Sequence, residues 1–205
     1  MKSIKSLLLI AVIILITAIG CSPEKDIQNP TLATVLLSED FSAGAVDNAV
    51  LNTAGWVNVA ETGTTKWKYQ IYSGNAYAEF TSYLSQDPVC VSWLISPNID
   101  LDRGENEKLV FEAAQSYVSS SANSLEVFIS TNFTGTNVAT ANWQKLQAIL
   151  PTTSNANFQF IKSGVIDLSG FSGRVNIGFK VKGTGTITNS SLDGSYQIDN
   201  VKVYY

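Results

Sequence analysis

From Arg174 to Lys182 the apolar residues fall on every second position. Val175, Ile177, Phe179 and Val181 alternate with Asn176, Gly178 and Lys180. Helical side chains return to the same face every 3.6 residues and strand side chains every two, so this segment buries one face only as an extended strand. Its charged face then meets water, as in an antiparallel sheet with one solvated side. The same period recurs in Leu125, Val127 and Ile129, and in Leu109, Phe111, Ala113, Gln115 and Tyr117. Further strands are predicted over Val35–Phe41, Lys66–Tyr72, Ala76–Thr81, Val89–Ile95, Trp143–Ile149, Phe158–Leu168 and Tyr196–Tyr205. Ser-Gly-Phe-Ser-Gly at 169–173 and Gly-Thr-Gly-Thr at 183–186 read as turns. Helical patterning is weak, and its best candidate is a short turn within Ala43–Thr53.

About ten closely spaced strands predict an all-β, two-sheet antiparallel β-sandwich of the jelly-roll kind. The domain is expected to run over residues 34–205, with no internal repeat or linker dividing it. A length of roughly 170 residues suits a single core.

Residues 1–20 stand apart from this domain. Lys2 and Lys5 precede an almost unbroken apolar run, Leu7 to Ile16, which small residues close before Cys21. The run is short for a membrane span and reads as a secretory leader. Thr17-Ala18-Ile19-Gly20-Cys21 resembles the bacterial lipobox, which implies cleavage before Cys21, lipidation at Cys21, and a membrane contact through that lipid. A plain signal peptide with an incidental cysteine and an uncleaved anchor helix are the other two readings. Residues 21–33, with two prolines and a Glu-Lys-Asp cluster, read as a flexible tether. Glu24 and Asp26 are similar to export signals of Bacteroidetes surface lipoproteins, which implies an outer-membrane, cell-surface location.

Charge and chemistry exclude several functions. Only 15% of the chain is charged, its formal charge is −4, and removal of Lys2 and Lys5 with the leader makes that −6. No basic stripe exists to displace counterions from a nucleic acid, so no nucleic-acid partner is expected. There is no histidine, hence no His-based triad or His metal ligand. With Cys21 lipidated, Cys90 has no disulfide partner, and Val89-Cys90-Val91 reads as a buried, inert thiol. Asp40, Glu61, Glu79, Asp87, Glu112 and Glu126 could supply a glycosidase pair, but no spacing in the sequence singles one out. The chain is therefore read as non-catalytic.

Val91-Ser92-Trp93-Leu94-Ile95-Ser96-Pro97-Asn98-Ile99-Asp100-Leu101 resembles a segment of the choice-of-anchor J and cleaved-adhesin domains. Leu125 to Thr131, Ile166 to Phe171 and Tyr196 to Val203 are similar to three further segments of that family, in the same order. The resemblance implies a jelly roll akin to MAM and laminin-G-like domains, and a role in adhesion or polysaccharide use. It also implies one structural calcium, with Glu39 or Asp40 of the first strand and Asp199 of the last as ligands. Asp199 shares parity with Val201, Val203 and Tyr205, so an unbroken strand would turn it inward. The alternative is that Asp199 accepts backbone N–H bonds near a turn or bulge and binds no ion.

A sugar-stacking face would be drawn from Trp56, Trp67, Tyr69, Tyr72, Tyr77, Tyr83, Trp93, Tyr117, Phe133 and Trp143. Trp93 and Trp67 have apolar neighbours and read as core, whereas Trp56, Tyr72 and Tyr83 lie near loops and are the expected ligand contacts. Three functions remain open. They are a surface lipoprotein binding extracellular glycan, an interaction or scaffold module for a surface protein, and a carbohydrate-active enzyme.

Overall fold

The computed structural model describes residues 32–186 and 191–205. The leader, Cys21 and most of the tether lie outside the described residues. Residues 33–205 form one compact unit. Its strands in chain order are β1 (Val35–Glu39), β2 (Val57–Thr62), β3 (Lys68–Tyr72), β4 (Asn75–Thr81), β5 (Cys90–Ile95), β6 (Ile99–Asp100) and β7 (Lys108–Ser116). They continue with β8 (Ser124–Ser130), β9 (Gln144–Lys145), β10 (Ile161–Lys162), β11 (Ile166–Asp167), β12 (Arg174–Gly183) and β13 (Ser195–Tyr204).

These strands make two antiparallel sheets. One is seven-stranded, in the order β10-β7-β13-β4-β3, with β1 added beside the second half of β13 and β11 beside β7. The other is six-stranded, in the order β2-β5-β12-β8-β9, with β6 on β12. Alternation decides what lies between them. Val175, Ile177, Phe179 and Val181 of β12 are fully buried, as are Leu109 and Ala113 of β7 and Val127 of β8. Each such side chain contributes about 1.5–3 kcal/mol when removed from water. Asn58 of β2 links the sheets at one end. Its Nδ2 donates to the Leu51 and Trp67 carbonyls, and its Oδ1 accepts from the Trp67 N–H.

Several expected elements take another form. The helical turn within 43–53 is an irregular strip along β3, held by Asn48 N–H to Tyr69 O, Tyr69 N–H to Ala49 O and Leu51 N–H to Trp67 O. Gly44 and Asn48 have positive φ (71° and 61°), which no right-handed helix accommodates. The long strand expected over 158–168 is split into β10 and β11. At the break, Phe111 N–H bonds to the Ser163 hydroxyl, and Gly164 at φ 73° turns the chain. Of 143–149 only β9 is strand, while β2 and β6 arise where none was expected.

The closing strand holds the most consequential departure. Its register shifts between Asp199 and Lys202, and Asn200 stands at φ 52°. This bulge inverts the alternation. Tyr196 and Ile198 face the core before it, and Val201 and Val203 after it. Asp199 therefore lies on the outer face with Gln197, contrary to the parity of an unbroken strand.

Candidate ligand-binding groove

The outer face of the seven-stranded sheet carries a groove of about 1160 Å³. Its floor follows from parity. While Ala76, Ala78 and Phe80 of β4 point to the core, Asn75, Tyr77, Glu79 and Thr81 point out and line the groove. Six residues separate the ends of that row, so it is roughly 20 Å long. At one end the β3–β4 hairpin turns through Ser73 and Gly74, both at positive φ (50° and 83°), as a two-residue hairpin turn requires. The hairpin sets Tyr72 opposite Asn75. At the other end stand Tyr83, Tyr117, Asp193 and Ser195.

Tyr117 reaches this face by a local device. It follows β7 at φ 59°, so it breaks the alternation that would have placed it with Gln115 in the core. Its N–H is held by Asn157 Oδ1 at 2.8 Å, and its ring meets Phe158 edge-on at 5.9 Å. Tyr72, Tyr83, Tyr117 and Phe158 are 73%, 62%, 69% and 48% exposed, an unusual gathering of open rings on one face.

Polar groups at the base are already organised. Gln197, fully buried on β13, donates from Nε2 to Glu79 Oε2 (2.8 Å) and Ser116 Oγ (3.1 Å), while its Oε1 has no partner among the described residues. Asn75 Nδ2 donates to Asp199 Oδ2 at 2.9 Å, and Gln70 Nε2 donates to Asp47 Oδ1 at 2.9 Å. Burial pushes the Glu79 carboxyl above its ordinary range despite the Gln197 bond and nearby Lys68. Burial also raises Asp199, against the bond from Asn75. The Tyr77 hydroxyl is pushed up to about 12, first by burial and then by Glu79, so it stays a proton donor at neutral pH.

Of the three expected ligand contacts, Tyr72 and Tyr83 line this groove. Trp56 does not. It is 8% exposed in the core, edge-on to Phe41 at 5.1 Å and stacked on Phe179 at 6.5 Å. Its closeness to a loop in sequence is no guide, because Trp56 immediately precedes β2 and its ring enters between the sheets. Trp67 is core as expected. Trp93 is buried too, but on the outer face of the six-stranded sheet, beneath Trp143, Phe128 and Phe133. There its Nε1 donates to Glu61 Oε2, and Lys180 Nζ lies 4.9 Å from the ring centroid. Asn75, Glu79, Phe158, Phe160 and Asp193 were not singled out as ligand contacts. Only the outward parity of β4 could have signalled the first two.

The carboxylates offered to calcium are engaged locally. Glu39 Oε1 accepts from Phe41 N–H, and Asp40 Oδ1 from the N–H and hydroxyl of Ser42. Asp199 Oδ1 accepts from Asn200 N–H at the bulge. Glu39 and Asp40 share a second hollow with Glu112, but Lys162 and Lys202 line it as well. Among the described residues no group of three or more His, Cys, Asp or Glu is arranged to hold a metal. Calcium takes six to eight oxygens, and each of these three carboxylates has one oxygen already bonded to a backbone N–H. Cys90 is buried, with its thiol pKa raised first by burial.

Comparison with solved structures identifies the architecture. The K3 cleaved adhesin domain of Lys-gingipain from Porphyromonas gingivalis aligns with TM-score 0.53 and 16% identity, over 84% of this chain and 100% of that one. The K2 cleaved adhesin domain of Lys-gingipain aligns with TM-score 0.52 and 14% identity, over 82% and 98%. The fold is that of the cleaved adhesin domains. A mannan-recognising carbohydrate-binding module, TmCBM27, aligns with TM-score 0.47 and 15% identity, over 84% and 98%. No protein-family model matches this chain, and no curated protein matches it by sequence.

Proposed function

We propose that this chain is a non-catalytic glycan-binding module whose site is the groove on the seven-stranded sheet. The observation that carries the reading is the set of open rings Tyr72, Tyr83, Tyr117 and Phe158 around a floor of amides and carboxylates. Flat apolar ring faces match the C–H faces of sugars, and fixed polar groups at their edge select hydroxyls. Such clefts, apolar with a few convergent polar groups, are the usual form of a small-ligand site. An extended row roughly 20 Å long suits a stretch of polymer better than a single sugar.

The sequence of residues 1–21 supports a second part of the proposal, that the module is tethered by lipid at Cys21 to the outer membrane and faces outward. Metabolic labelling with a fatty-acid analogue, lost in Cys21→Ser, tests the anchor. Protease shaving of intact cells tests the orientation.

The binding experiment immobilises a panel of plant, microbial and host glycans and measures retention of residues 22–205. Retention by one polymer class, weakened by Tyr117→Ala and without release of oligosaccharides, is the expected result. No retention on any glycan overturns the reading and favours a surface protein as partner. Release of oligosaccharides overturns the non-catalytic part.

A further inference from the structure

We propose that the groove selects glycans free of acidic groups, either neutral sugars or sugars bearing free amines, and rejects polyuronates and sulfated chains. The inference rests on the glycan reading above and specifies its ligand class.

Two observations point the same way. The first is charge: Glu79 and Asp193 line the groove, and among the described residues no lysine or arginine does. Asp47 and Asp199 stand directly behind Gln70 and Asn75. Lys68, the ladder partner of Glu79 on β3, does not line the groove. An anionic sugar brought to such a wall adds a like charge where desolvation strengthens repulsion, and like-charge juxtaposition suppresses the wrong partner.

The second is hydrogen-bond balance. Both amides at the Tyr72 end have an N–H engaged by a carboxylate, and Gln197 Nε2 is engaged by Glu79 and Ser116. The groove adds the carboxylate acceptors of Glu79 and Asp193 beside hydroxyls, such as those of Tyr77 and Ser195, that can both donate and accept. A carboxylate only accepts, so a ligand that bonds to Glu79 or Asp193 brings the donor. Sugar hydroxyls and ammonium groups donate, whereas an ionised carboxylate or sulfate only accepts.

The test uses the purified protein and the neutral polymer that retains it best, beside a carboxymethylated preparation of that polymer, with chitosan as the amine-bearing probe. The expected result is retention by the neutral polymer and at least tenfold weaker affinity for its carboxymethylated form at low salt. That gap should narrow as salt screens the repulsion. Glu79→Gln combined with Asp193→Asn should narrow it at low salt by about an order of magnitude. Tighter binding to the carboxymethylated polymer at low salt, weakening as salt rises, overturns the charge filter while leaving glycan binding intact. A gap unchanged in the double variant overturns the assignment to these two carboxylates. Retention on none of the probes overturns the glycan reading itself.

Discussion

Phe160 lies edge-on against Tyr77, their ring centroids 5.3 Å apart and their planes at 70°. Tyr77 belongs to β4 and Phe160 to the loop entering β10, and in the sheet β13 and β7 run between those strands. The contact spans two intervening strands, so one wall of the groove is assembled by residues far apart in sequence. Such edge-to-face pairs contribute about 0.5–1.5 kcal/mol beyond the area they bury. Phe160→Ala is expected to weaken glycan retention while leaving the fold intact, read as a lower affinity with an unchanged circular dichroism spectrum.

The open rings should separate binding from stability. Tyr72→Ala and Tyr117→Ala each remove an exposed side chain, so the melting temperature should move by about 2 °C or less. Affinity for the retained polymer should fall about tenfold or more, as for aromatic anchors at other interfaces. Isothermal titration and thermal melts on the same preparations check both halves.

Trp56→Ala should do the reverse. Its ring fills core space between Phe41 and Phe179, and truncating a buried tryptophan costs about 3–5 kcal/mol. Urea unfolding should show a much lower midpoint, and the folded fraction should still bind glycan at wild-type affinity.

Acidification should act in two directions. The Glu79 and Asp199 carboxyls are raised in the folded state, first by burial, so the folded chain takes up protons more readily than the unfolded one. Stability from these two groups is fully present at low pH and is lost as pH rises through their folded values. Asp40, Asp87 and Asp167 are lowered, respectively by the Ser42 hydroxyl, the Thr64 N–H and the Lys108 ammonium, Asp167 to about 2. Their contribution is present above the ordinary carboxylate range and is lost as pH falls through the lowered values. The urea midpoint should therefore rise from neutral toward mildly acidic pH and fall below about pH 4. Glu79→Gln should flatten the first limb, and an unaltered limb in that variant would show that Glu79 is not its source.

Chelation is expected to leave the melting temperature unchanged. Glu39, Asp40 and Asp199 each accept a hydrogen bond from a backbone N–H one or two residues on, and two lysines share the hollow of the first pair. A fall of several degrees in EDTA, restored by calcium, would reinstate a bound ion, since a ligand specific to the folded state stabilises by mass action.

The sequence by itself determined the two-sheet sandwich and most of its core. The alternation in β12, β8 and the first part of β7 names residues that are buried, because strand period is a local property of the backbone. It also determined the scarcity of charge and the absence of histidine, which narrow the chemistry open to the chain. Tyr72 and Tyr83 were legible because turn residues flank them. The tertiary structure decided the rest. The positive-φ positions at Tyr117 and Asn200 invert an alternation that the sequence alone would continue, moving Tyr117 and Asp199 to the outer face. Trp56 went the other way, into the core. The groove joins β3 and β4 to the end of β7, to β13 and to the loop before β10. Which outward side chains become neighbours depends on strand order, and strand order is set by the packing of the whole sandwich rather than by any single segment.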